Sequence, residues 1–166
     1  MNLSAKAKAE RFRLPRYEEL PDGGLYLEQT ARYISEQLAP LQIAPVTGSM
    51  ISNYVKKDLV DNPIKKQYFP DQIARLIFIS AAKAVLSMEG IGVLLALQKR
   101  SFDNRRAYNS FCLELENAVA CAYGSEKDFD VPDGDDEGRE LLRDVVIVLA
   151  HKAKLSRSIA QLREKQ

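Results

Sequence analysis

Histidine and cysteine are scarce in this chain, and no stretch stays apolar for long. His151 is the only histidine. That removes multi-histidine metal sites, and a Ser-His-Asp arrangement would depend on a residue beside Lys152 on a helix flank. Cys112 and Cys121 are the whole thiol inventory. They fall in one expected helix, on opposite faces and roughly 13 Å apart along its axis. They cannot bridge without unwinding it, and a reducing compartment follows. Nor do the two have metal-ligand spacing. The longest apolar run, Val145 to Ala150, is far too short to span a bilayer. Met1 to Leu14 lacks the apolar segment of a signal peptide. The expectation is a soluble, cytoplasmic protein with no membrane partner.

Charge of one sign is lacking overall: the formal net charge is +1, so the total neither demands nor forbids a nucleic-acid partner. Catalytic and ion-binding motifs are incomplete. Gly90-Ile91-Gly92 lacks the third glycine and the preceding strand of a dinucleotide loop. A calcium loop around Asp133-Gly134 and Glu140 fails, because Phe129 and Val131 would occupy the first and third ligand positions. The expectation is therefore no enzyme, no cofactor and no metal.

What is present is helical periodicity. A content of 46% apolar and 28% charged residues is that of a folded domain. Residues 1–13, with Lys6, Lys8, Arg11 and Arg13, read as a flexible basic arm. Arg16 to Leu20 forms a short helical turn closed by Pro21-Asp22-Gly23-Gly24. Leu27, Ala31, Ile34 and Leu38 give a first helix its apolar stripe. A connector from Ala39 to Val46 leads to a second helix, capped by Thr47 or Ser49, with Met50, Ile51, Tyr54 and Val55 inward and Lys56-Lys57 at its end. The turn Asp61-Asn62-Pro63, between Leu59-Val60 and Ile64 to Tyr68, predicts a small two-stranded wing. Pro70 opens a helix to about Leu86, and Ser87 opens another to about Arg100. Asp103 caps a helix reaching Tyr123, where Gly124 stops it. An acidic loop follows, and a last helix runs from about Asp136 to Arg163.

The order helix, connector, helix, wing, helix, helix is that of a winged helix-turn-helix, whose second helix enters a major groove while the wing reaches phosphates. Local charge agrees: Ala44 to Lys83 holds six Lys/Arg against three Asp/Glu. Candidate DNA-binding residues are Thr47, Ser49, Ser52 and Asn53 facing the groove, Lys56 and Lys57 on phosphates, and Lys65 and Lys66 on the wing. Against this stands a plain surface role, since lysines favour helix C-termini and protect edge strands. Tyr54, Tyr68 and Phe78 read as core.

Ile51-Ser52-Asn53-Tyr54-Val55-Lys56-Lys57-Asp58-Leu59-Val60 resembles the recognition helix and following turn of the MerR regulators. Lys66-Gln67-Tyr68 resembles the basic-x-Tyr of their wing, Ile73, Leu76, Phe78 and Ile79 the core of their third helix, and Leu86 to Ile91 the start of their fourth. Leu14-Pro15-Arg16-Tyr17, Met50 to Lys57 and Val85-Leu86-Ser87-Met88-Glu89 are similar to an uncharacterised bacterial family regarded as MerR-like. The resemblance implies a MerR-like winged helix-turn-helix over 14–100 and a dimerising C-terminal helix within 101–166. Three departures stand out. The connector is long, Ser52 and Asn53 replace the usual Arg and Tyr, and Lys66 replaces the wing Arg and its bidentate fork.

Leu141, Val145, Val148, Lys152, Leu155, Ile159 and Leu162 alternate spacings of four and three, a heptad seam. Val145 to Leu149 is expected in the core, and the stripe Leu155, Ile159 and Leu162 either packs within the subunit or meets a second copy. The expected protein is an all-α, homodimeric DNA-binding transcriptional regulator. The alternatives are a protein-interaction module on the same fold, or a small-ligand sensor with a pocket near Tyr108, Phe111 and Tyr123.

Overall fold

The computed structural model describes residues 4–101, 103–124 and 137–166. The acidic loop expected before the last helix, Ser125 to Asp136, lies outside them. Seven α-helices are present among the described residues: α1 (Ala5–Glu10), α2 (Leu27–Leu38), α3 (Gly48–Lys56), α4 (Pro70–Ala82), α5 (Met88–Ser101), α6 (Asn104–Ala122) and α7 (Glu137–Glu164). Two short strands, β1 (Leu25–Tyr26) and β2 (Gln67–Tyr68), pair antiparallel.

Local chemistry sets the helix ends. Thr47 Oγ1 accepts from Met50 N at the start of α3, and Asp103 Oδ1 accepts from Arg106 N at the start of α6. Pro70 takes the first turn of α4, where its missing N–H costs nothing, and Gln72 Oε1 accepts from Phe69 N at 2.8 Å. The end of α3 is a Schellman motif. Leu59 N donates to Tyr54 O and Asp58 N to Val55 O, with Asp58 in the left-handed region at φ 58°.

The long connector between α2 and α3 is filled rather than slack. Its single 3-10 turn, Ala39–Leu41, ends at left-handed Gln42, and Leu41 and Val46 are buried. Ser35 Oγ donates to Ala31 O and accepts from Val46 N at 2.8 Å, which ties the connector back to α2. Buried polar groups so paired keep an extended segment in place.

One core joins both halves of the chain. Ile34 and Leu38 of α2, Ile51 and Tyr54 of α3, and Ile73, Leu76, Ile77 and Ile79 of α4 are continuous with Phe111 and Leu115 of α6 and Val146 and Leu149 of α7. The N-terminal segment is latched to α6 by Arg16. Its Nη1 and Nη2 donate to the two carboxylate oxygens of Glu116 at 2.6 and 2.7 Å. Leu14 N also donates to Glu116, Tyr17 N to Asn109, and Tyr108 Oη to Pro15 O.

Four expectations change. Ala5–Glu10 is a helix packed on α6 with Ala9 buried, not a flexible arm, because small alanines let it approach closely. The wing does not pair with Leu59-Val60. Val60 is buried, and the carbonyls of Asp61 and Asn62 are held by Gln72 Nε2, so β2 pairs instead with β1 (Leu25↔Tyr68, Tyr26↔Gln67). Helix α4 stops at Ala82, beyond which Ala84 N and Val85 N take i→i−3 bonds. The seam of α7 splits: Val145, Val146, Leu149, Ala150 and Ala153 are core, while Val148 faces solvent at 53% exposure.

Candidate nucleic-acid interface

Helix α3 divides cleanly by face. Ile51 and Tyr54 are fully buried, and Ser49, Ser52, Asn53 and Lys56, at spacings of three, four and seven, are all exposed. At about 100° per residue these four span an arc of roughly 100°. A polar stripe of this width can lie in a groove. Thr47 stands exposed at the N-cap, with its hydroxyl oxygen already accepting from Met50 N, and Lys57 is exposed at the C-cap.

The N-terminal end of α3 sits against the first turn of α2. A Cβ on Gly48 would lie 2.5 Å from Glu28 Oε1 and 3.2 Å from Leu27 side-chain atoms. A glycine is thus what lets the two helices approach there. The same end of α2 continues from β1, so α3 and the wing flank one turn of one helix. Beneath α3 the Tyr54 hydroxyl is buried with no hydrogen-bond partner, and Lys83 Nζ lies 5.4 Å from the centre of the ring.

The wing tip is a two-residue hairpin. Ile64 and Gln67 exchange both backbone hydrogen bonds at 2.9 Å, which leaves Lys65 and Lys66 as the turn. Both lysines have positive φ, 50° and 66°, the signature of a type I′ turn. That turn normally takes Asn-Gly, because a side chain in the left-handed region costs about 1–2 kcal/mol. Both ammonium groups are exposed, and among the described residues no ion pair involves Lys56, Lys57, Lys65 or Lys66. All eight residues singled out from the sequence therefore lie on the surface.

Two residues beside the wing were missed. Tyr26, paired with Gln67, is 55% exposed, and Ile64, at the base of the turn, is 61% exposed. A two-residue strand has no periodicity from which to read Tyr26, and the local pattern marks Ile64 only as strand. Gly24 at φ 87° packs against Gln67 and Phe69, so the Gly23-Gly24 signal does mark a special backbone position.

Elsewhere the chemistry is quiet. Cys112 is buried, and burial pushes its thiol up to about 11, away from nucleophilic use. His151 is exposed. Tyr108 and Phe111 line a cavity between α4, α5, α6 and α7, but Tyr123 does not; it belongs to a separate depression, with Lys154 Nζ 5.6 Å from its ring centre. No helix among the described residues is long and apolar enough to cross a membrane.

No curated protein and no solved structure matches the chain. A family model does, over residues 15–111, a span that takes in the Arg16 segment, α2, α3, the wing, α4, α5 and the first part of α6. The chain belongs to the family described as Domain of unknown function (DUF1836).

Proposed function

We propose that the protein is a homodimeric, sequence-specific DNA-binding transcriptional regulator built on a MerR-like winged helix-turn-helix, with α2 and α3 as the helix pair and Ile64 to Gln67 as the wing. The observation that carries this reading is the wing tip. Two lysines hold both left-handed positions of a turn that Asn-Gly would form at lower cost, and both face solvent. Backbone strain kept at a surface tip is usual where the side chains have a task. Two ammonium groups on a stiff hairpin, together with the exposed Ser/Asn/Lys face of α3, suit the phosphates beside a groove.

The dimer reading rests on α7. Leu141, Val148, Leu155 and Leu162 recur every seven residues and are exposed at 42, 53, 60 and 61%. The stripe is symmetric about its middle. In an antiparallel pair Leu141 faces Leu162 of the second copy, and Val148 faces Leu155. Net charge favours that direction: residues 137–144 carry Glu137, Glu140 and Asp144 against Arg139 and Arg143, and residues 157–165 carry Arg157, Arg163 and Lys165 against Glu164, so an antiparallel pair brings ends of opposite net charge together.

The test is binding to random duplex DNA across a salt series. Four to six lysine–phosphate contacts give log K falling with log[salt] at a slope of about −4 to −5. Absence of binding at low salt overturns the reading. The second reading, a protein-interaction module on the same fold, is favoured by the exposed apolar pair Tyr26 and Ile64 beside the wing. Under it, alanine at Tyr26 and Ile64 removes a protein partner while lysine changes have little effect.

A further inference from the structure

The cavity between α4, α5, α6 and α7 has a volume of about 80 Å³ and a mostly apolar wall that includes Phe78, Leu95, Phe111 and Leu142. Phe78 and Phe111 meet edge to face, with ring centres 5.1 Å apart. Such a wall holds its shape, because an edge-to-face pair fixes both rings. The cavity is not sealed, since Arg75, Gln98, Asn104 and Arg139 on its wall are each partly exposed to solvent.

One polar atom in this wall is unexplained. Glu114 lines the cavity, and its Oε2 is buried with no hydrogen-bond partner. A buried carboxylate oxygen left without a donor costs on the order of 1–3 kcal/mol or more. A water molecule would relieve this only with two to four polar partners around it. A ligand donor would relieve it with one bond while its apolar part covers the rings.

We propose that this cavity is a binding site for a small, neutral, apolar molecule carrying one hydroxyl, with the hydroxyl donating to Glu114 Oε2 and the apolar part lying between Phe78, Leu95, Phe111 and Leu142. The donor is neutral because Arg75 and Arg139 also line the wall, and the charges of Arg139 and Arg143 already act on Glu114. A cation would meet that positive field. Apolar cavities of roughly twice this size take up benzene, so a single ring with one end reaching the open side is the right scale. This inference does not depend on DNA binding.

The experiment is a titration of the full chain with phenol and, separately, with toluene, its isostere without the donor. The ring resonances of Phe78 and Phe111 are followed by NMR. Phenol is expected to shift both saturably in the millimolar range or below, and to bind about tenfold tighter than toluene. Ala107→Leu, which fills the cavity from α6, is expected to abolish both responses. Glu114→Leu is expected to remove the preference for phenol while toluene still binds. The proposal is overturned if neither probe gives a saturable shift in the unmodified chain, if the two bind equally there, or if the response survives Ala107→Leu.

Discussion

Replacing Lys65-Lys66 by Asn-Gly should strengthen the fold and weaken the proposed function in one step. The turn that joins Ile64 to Gln67 places both central residues at positive φ, 50° and 66°. Lysine in that region costs about 1–2 kcal/mol per residue, and Asn-Gly is the pair the type I′ turn prefers. Glycine gives back about 0.5–1 kcal/mol through the freedom it adds to the unfolded chain. The net gain for Lys65→Asn with Lys66→Gly is about 1–2 kcal/mol. Both side chains are exposed and in no ion pair, so losing their charge subtracts little from this. For a chain of this length each kcal/mol raises Tm by about 2–4 °C. Duplex binding should move the opposite way. If both ammonium groups displace counterions, the slope of log K against log[salt] flattens by about 1.8. Urea denaturation and a fluorescence-anisotropy salt series read the two effects separately. A variant less stable than the parent refutes the turn geometry. An unchanged slope refutes the phosphate contact, whatever happens to stability.

Three further outcomes follow from the body of the protein. Glu116→Gln breaks the two-pronged contact with Arg16, whose side chains are 23 and 15% exposed as a pair, and strands a guanidinium beside Leu14. It should cost about 2–3 kcal/mol in urea denaturation, and a loss below about 0.5 kcal/mol would show that the latch contributes little. Burial holds the Glu114 carboxyl above its ordinary value, against the opposing pull of Arg139 and Arg143. A raised carboxyl favours the folded state fully below the unfolded value of about 4.3 and loses that advantage as pH rises through the folded value. Glu114→Gln should therefore gain Tm relative to the parent at neutral pH and lose the gain near pH 4; a difference that does not vary with pH contradicts the burial argument. Leu155→Glu with Leu162→Glu places charge on the exposed stripe of α7 and should give a monomer by light scattering with unfolding free energy within about 0.5 kcal/mol of the parent monomer. A dimer that persists places the contact elsewhere.

Legibility in the sequence followed the range over which each signal acts. Helix α2 falls on the expected Leu27–Leu38, and α3, α6 and α7 begin at their expected caps or within a residue, because stripe and cap lie in the same short stretch. Ser49, Ser52, Asn53 and Lys56 are exposed for the same reason: opposite Ile51 and Tyr54 a helix has only one face left. Nothing local announces the pairing of β1 with β2. Each strand is two residues long, too short for alternation to register, and their partners are separated by more than forty positions. Helix α1 was hidden because alanine supplies its packing face, and alanine barely marks an apolar stripe. The Arg16–Glu116 contact, 100 residues apart, and the cavity walled by four helices exist only once the chain has closed on itself.

Continuity of the core bears on how the proposed regulator could work. No linker lies between wing and body: β2 runs through Phe69 into Pro70 of α4, Tyr68 is buried, and further along α4 Phe78 is seated on Phe111 of α6. Helix α6 packs along α7, which bears the exposed stripe. Close-packed interiors transmit displacement instead of absorbing it. On the proposed reading, the separation of two wings in a dimer is then set by the angle at which two α7 helices cross, not by flexible tethers. A ligand between Phe78, Glu114 and Leu142 would touch α4, α6 and α7 together. It would act on packing that joins the wing-bearing α4 to α7. Affinity for DNA would change only so far as that ligand binds one wing orientation better than another.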